Sequence, residues 1–207
     1  MEPSNLLWEY YLEQEMNRWP TEGKHILAQY DNNSVIVYQA YKPSISDYAV
    51  KNQVFGGPDY SFKRMSWVKT NFLWMMYRSG WATKSDQERI LAIRISRAAF
   101  ENILSNAYTG QKEKAMETKS NIRLQWDPDH TPSGTKLNRR AIQLGLKNEA
   151  LEQFAKNDII SITDITMEVR RQHQLWQTGG LESLQTPIER VYPVPEHIKQ
   201  QIDMNND

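Results

Sequence analysis

The chain has 207 residues, enough for one domain with a full core. Its 25 Lys and Arg balance 25 Asp and Glu, so no overall field draws it to nucleic acid or membrane. It has no cysteine, which excludes disulfides, thiolate metal sites and cysteine nucleophiles and fits a reducing, cytoplasmic setting.

No stretch approaches the eighteen apolar residues of a membrane span, and the first residues lack a basic start and an apolar run. A soluble protein with no membrane partner is expected. Residues 6–19 read as an amphipathic helix capped by Ser4 or Asn5 and stopped by Pro20. This end is acidic, with five Glu against one Arg up to Glu22; the acids either fold back on a basic centre or stay solvated. Asp31, Asn32 and Asn33 signal a turn before a β-branched strand over 34–41. Pro43 opens a helix that Gly56, Gly57 and Pro58 end.

Residues 63–84 carry Trp67, Trp74 and Trp81, two adjacent methionines and five basic residues with no acid. Thr70 and Asn71 can cap a helix over 72–79, and Gly80 suits a left-handed C-terminal residue. Phe72, Met75 and Met76 follow core spacing. Arg64, Lys69, Arg78 and Lys84 bracket the aromatic cluster. From Ser61 to Arg97, eight Lys and Arg face two acids. The stretch reads as a buried helix with an aromatic lid or as a wall that takes an anionic, aromatic ligand.

Residues 88–96 form the clearest strand, with Ile90, Ala92 and Arg94 on one face and Leu91, Ile93 and Ile95 on the other. A helix over 98–108, a polar loop or frayed helix over 110–120 and a short strand over 122–126 follow. Residues 127–134 read as a loop, where Asp127, Asp129 and His130 suit turn chemistry better than a cation; no metal site is expected. Strands over 140–146 and 159–165 and helices over 148–155 and 167–176 complete the core. The expected architecture is α+β: a single compact domain over 24–178 with a mixed or split antiparallel sheet and inserted helices. A helical arm over 1–23 and a loosely ordered tail over 179–207 flank it.

No phosphate loop, dinucleotide fingerprint, HExxH or nucleophile elbow occurs. Gln39, Arg94, Gln125 and Gln143 are polar residues inside apolar strands. They either face solvent or line one cleft.

The segments VYQAY, RMSWVKTNFLWMMYRSGW, ERILAI, LQWDPDH, AIQLGL and ITDIT, in this order, resemble the family called domain of unknown function 4291. The resemblance covers residues 28–171. It implies one compact domain and supplies no catalytic residue. The strand order is also similar to the split sheet of ADP-ribosyltransferases. That second resemblance implies an early strand that positions NAD, near Tyr38 or Gln39, and a late strand that presents a glutamate. Gln143 stands at the late position, and a neutral amide cannot supply the glutamate's charge.

The expected function is a nucleotide-dependent transferase. Gln143 and Gln39 are the candidate catalytic residues. Tyr38, Arg64, Lys69, Trp74, Tyr77, Arg78 and Trp81 are the candidate residues for NAD. The alternative is a binding module for RNA or single-stranded DNA, with tryptophans stacking on bases.

Overall fold

The computed structural model describes residues 6–115 and 119–204. Ser4 and Asn5, the expected caps of the first helix, lie outside these residues. The chain opens with β1 (Trp8–Tyr10), α1 (Tyr11–Asn17), β2 (Gly23–Lys24) and β3 (Leu27–Ala28). Next come β4 (Ser34–Tyr41), α2 (Pro43–Asn52), β5 (Ser66–Lys69), α3 (Phe72–Ser79) and β6 (Arg89–Ser96). Then follow α4 (Arg97–Ser105), β7 (Ala107–Thr109), α5 (Gly110–Ala115), β8 (Ile122–His130) and β9 (Lys136–Leu146). The chain continues through α6 (Asn148–Gln153), a π-helical turn (Phe154–Asp158), β10 (Ile159–Asp164) and α7 (Thr166–Gly179). It closes with β11 (Gln185–Pro187), β12 (Arg190–Val191) and α8 (Glu196–Gln201).

The fold is α+β. The main sheet runs β10-β6-β4-β5-β9-β8-β7, with β2 beside β9. Its pairs are antiparallel except β7 with β8 and β2 with β9. Helices cover both faces, so β4 and β6 are nearly continuous apolar runs. On one face Val35, Val37, Leu91 and Ile93 meet Ala49 of α2, Phe100 of α4 and Ile198 of α8. On the other, Ile36, Tyr38, Ile90 and Ala92 meet Tyr11 of α1, Phe72 and Met76 of α3 and Val169 of α7.

The sheet is weakest at its middle. β4 pairs with β6 over eight residues, from Ser34 to Tyr41, but with β5 only at Tyr38 opposite Lys69. Beyond that pair the ladder gives way to a side chain. Gln39 Nε2 donates to the Trp67 carbonyl at 3.1 Å and to Ser66 Oγ at 2.8 Å. A seam therefore opens between the β10-β6-β4 half and the β5-β9-β8-β7 half.

Four expectations are corrected. The first helix is shorter than expected, because residues 8–10 pair as a strand with β11. The N-terminal segment is not a free arm: Gln14, fully buried, donates to Thr186 Oγ1 and Pro187 O. Nor is residue stretch 179–204 loose. Tyr192, Val194, Ile198 and Ile202 are core residues, and β12 pairs with β3. Residues 127–130 are strand rather than loop, since β8 carries on through Pro128 to a bulge before His130, where a proline is tolerated.

Among the described residues, the acids of the N-terminal end do not reach the basic stretch 61–97; Glu15 alone meets a buried guanidinium, that of Arg139. Arg139 binds Asp129 at 2.5 Å and Glu15 at 2.7 Å, and donates to Pro20 O. Arg139 and Asp129 are each 1% exposed. No helix among the described residues is long and apolar enough to cross a membrane.

Candidate functional site

The seam holds a cavity of about 660 Å³. β4 contributes Gln39 and Tyr41, β5 contributes Ser66, Trp67 and Lys69, and α3 contributes Met75 and Arg78. Gln125 of β8, Gln143 of β9 and Arg64 complete the part that matters chemically. Side chains alternate along a strand, so Gln39 and Lys69 leave the sheet on opposite faces. The cavity reaches both because it passes through the seam.

Local sequence explains how the cations arrive there. Asn71 caps α3 by accepting from Trp74 N at 2.7 Å, and Gly80 closes it at φ +59°. This fixes Arg78 in the last turn, next to the seam. Gln125, Gln143 and Lys69 lie in one row across the sheet, since Gln143 is opposite both of the others. Trp67 lies opposite Gly145. A Cβ there would stand 3.0 Å from the indole, so the glycine lets the ring lie across β9.

Arg64, Lys69 and Arg78 have no ion-pair partner among the described residues. Arg64 and Arg78 are exposed at the rim. Lys69 is 3% exposed, and its Nζ lies 5.4 Å from the Trp74 ring centroid. Burial, together with the Arg78 guanidinium, brings the Lys69 ammonium down to about 8, against a smaller opposing pull from Asp127. Asp59 and Asp86 also line the cavity, and Asp59 is engaged by Lys42 at 3.3 Å.

The amides are held firmly. Gln143 Nε2 donates to Asp127 Oδ2 at 2.5 Å and to Gln125 Oε1 at 2.7 Å. Burial raises the Asp127 carboxyl, while Gln143, Lys69 and Arg140 draw it back down. Gln39 Oε1 is buried without a partner. Tyr41 OH and Ser66 Oγ lie 2.6 Å apart beside it.

Of the expected site residues, Gln39, Gln143, Arg64, Lys69 and Arg78 come together at this cavity. Tyr38, Trp74, Tyr77 and Trp81 do not line it. Tyr38 is fully buried with its ring edge-on to Phe72. Trp74 is 8% exposed and stacks on Tyr77 and His130. Trp81 is 6% exposed, stacks on His173 and donates from Nε1 to Pro132 O. These tryptophans serve the interior, so they offer no open face to a base.

Sequence reasoning missed Asp127, which reads as turn chemistry beside Pro128. The signal was present: Gln125 and Asp127 continue the alternation set by Leu124 and Trp126. Among the described residues no group of three His, Asp or Glu could hold a metal ion. Asp129 is committed to Arg139 and His130 to its aromatic stack.

The arrangement can therefore hold an anion against Arg64, Lys69 and Arg78, and can accept hydrogen bonds from a ligand at Gln39 and Gln143. A lysine near 8 is also able to exchange a proton close to neutral pH. No curated protein matches the chain. A family model described as Domain of unknown function (DUF4291) matches residues 25–192, a span that contains every residue of the cavity. The chain belongs to that family.

Proposed function

We propose that the cavity binds a dinucleotide and that the protein is a nucleotide-dependent transferase of the ADP-ribosyltransferase kind, with NAD as the donor. One observation carries this reading. Three cations with no ion-pair partner among the described residues and two fixed amides line one cavity at the seam of the main sheet. Uncompensated cations in a cleft suit a diphosphate. Arg64, Lys69 and Arg78 hold it, and Gln143 and Gln39 orient the sugar and amide beyond it. In the transfer, the glycosidic bond to nicotinamide breaks and its electron pair leaves on nicotinamide. The acceptor's nucleophilic atom bonds to the anomeric carbon and gives its proton to water. Asp127 holds Gln143 from behind by accepting from its Nε2 at 2.5 Å.

A nucleic-acid strand would use the same cations, but Trp74 and Trp81 are interior, so a dinucleotide is the better ligand. The absence of cysteine suits the reducing cytoplasm, where we place this activity. Calorimetry and thermal shift with NAD, ADP-ribose and ADP test the reading, followed by an assay for released nicotinamide. A thermal shift and measurable heat are expected at millimolar ligand. If all three ligands give neither heat nor shift at that concentration, the reading is wrong.

A further inference from the structure

Which atom an amide presents to a ligand is decided by what its other end has to do. Gln143 Nε2 donates to Asp127 Oδ2 at 2.5 Å and to Gln125 Oε1 at 2.7 Å. An amide nitrogen has two hydrogens, so both are in use. An ionised carboxylate can only accept, so it forbids the flipped amide. Gln143 Oε1 is then the atom left for the cavity. Gln39 obeys the same logic by an independent route. Its Nε2 donates to the Trp67 carbonyl, which can only accept, and to Ser66 Oγ. Its Oε1 is left buried with no donor, a destabilising state unless a ligand donor fills it.

The cavity thus offers two kinds of contact: Arg64, Lys69 and Arg78 can only donate to a ligand, and Gln143 Oε1 and Gln39 Oε1 can only accept from one. Inorganic phosphate answers the first kind alone, and a simple nucleotide carries donors at only one end of its diphosphate. We infer that the site selects a nucleoside diphosphate bearing a further group rich in hydroxyl or N–H donors, and that Asp127 is the positioning residue that sets this preference by locking Gln143 as an acceptor. The inference rests on the proposed nucleotide site and adds the chemical class and the residue that selects it. Asp127 acts through Gln143. Replaced by asparagine, it could donate as well as accept, and Gln143 would be free to turn its N–H groups toward the ligand. A site whose polar groups are arranged for a ligand's donors discriminates strongly against ligands without them.

The test measures three ligands: ADP-ribose, ADP and inorganic pyrophosphate. The proteins are the wild type, Gln143→Leu and Asp127→Asn, each checked by melting temperature for an intact fold. Wild type should bind ADP-ribose at least about tenfold more tightly than ADP, because the second ribose brings further donors to the amide acceptors. The ratio of the two affinities should fall toward one in both variants. A structural role for Asp127 would weaken all ligands alike and leave the ratio in place. A ratio within twofold of wild type in both folded variants, with nucleotides still binding, overturns the inference and leaves the nucleotide site standing. Failure of all three ligands to bind the wild type overturns both. Should Asp127→Asn not fold, Gln125→Leu offers the same reading from the second acceptor of Gln143 Nε2: a changed ratio supports the lock, and an unchanged one refutes it.

Discussion

Lys69→Met is expected to make the protein more stable and its ligand binding worse. The unfolded chain keeps this lysine protonated up to about 10.5, whereas the folded protein releases the proton at about 8. Below pH 8 both states carry the charge, and the folded state bears the whole cost of burying it. That cost is about 3 kcal/mol, at about 1.4 kcal/mol for each unit by which the value falls. Between pH 8 and 10.5 the folded protein has lost the proton and the unfolded chain has not, so stability rises with pH in that window. Methionine fills a similar volume without charge. It removes the cost but also the cation–π contact with Trp74, worth about 0.5–2 kcal/mol. The net gain at pH 7 should be about 1–2.5 kcal/mol by denaturant unfolding, and the variant's advantage should shrink as pH is raised through 8 toward 10. Comparing the two proteins at each pH cancels the contributions of all other titrating groups. Affinity for ADP should drop, and wild-type affinity should itself decline above pH 8. A variant that is less stable than wild type by more than about 1 kcal/mol at pH 7, with unchanged affinity, would refute the reasoning and make Lys69 a packing residue.

Arg78 is exposed and unpaired, so Arg78→Ala should change stability by no more than the helix-end effect of about 0.3–1 kcal/mol. Its ligand binding should weaken by about 1.5–3 kcal/mol, and Arg78→Lys should not restore it, because the planar fork is lost. Arg139→Ala should cost about 3–5 kcal/mol in unfolding experiments, since it strands Asp129 at 1% exposure. Glu189→Ala should cost about 2–4 kcal/mol by the same measurement, because it leaves the Phe72 N–H and the Asn71 amide without their buried acceptor. Gly145→Ala should displace the Trp67 ring, read as a change in tryptophan fluorescence, and should lower ligand affinity.

Local signals were legible where a segment settles its own structure. β4 and α3 follow from the sequence to the residue, the first from its β-branched run and the second from Asn71 and Gly80. β5 was not visible. Its four residues sit inside an aromatic, basic stretch, and its partners come from residues 143–146, far along the chain. The closing segment misled for the same reason. Its prolines and short strands read as loose, but Gln14 and residues 7–11 supply its hydrogen bonds from the other end of the chain. At the site, charge was more informative than aromaticity. An unpaired lysine or arginine inside an apolar context has few structural explanations, and Arg64, Lys69 and Arg78 all reached the cavity. A tryptophan beside charges fits a core and a stacking platform equally well, and Trp74 and Trp81 went to the core.

A buried carboxyl and a buried ammonium flank the start of α3, and no ion pair joins them. Glu189 is 1% exposed and accepts from Phe72 N at 2.6 Å and from Asn71 Nδ2 at 3.2 Å, just where the helix presents free N–H groups and its positive end. Burial raises its carboxyl well above the ordinary range, so its place costs stability, and what that cost secures is the position of the helix. Gln14 reinforces the same anchor by accepting from Glu189 N, and Trp19 donates to the Glu189 carbonyl. Lys69, two residues before Asn71, has no such satisfaction. Had selection acted on stability alone, a carboxylate opposite Lys69 or a neutral side chain in its place would serve better. The chain instead commits the buried Glu189 carboxyl to holding α3 in place and leaves the lysine facing the cavity. Gln14 and Trp19 from the first helix and its end thus hold Glu189, and Glu189 holds the one helix that carries Arg78. A buried cation with no ion-pair partner among the described residues, on a wall made rigid from behind, is what a site for an anionic ligand requires.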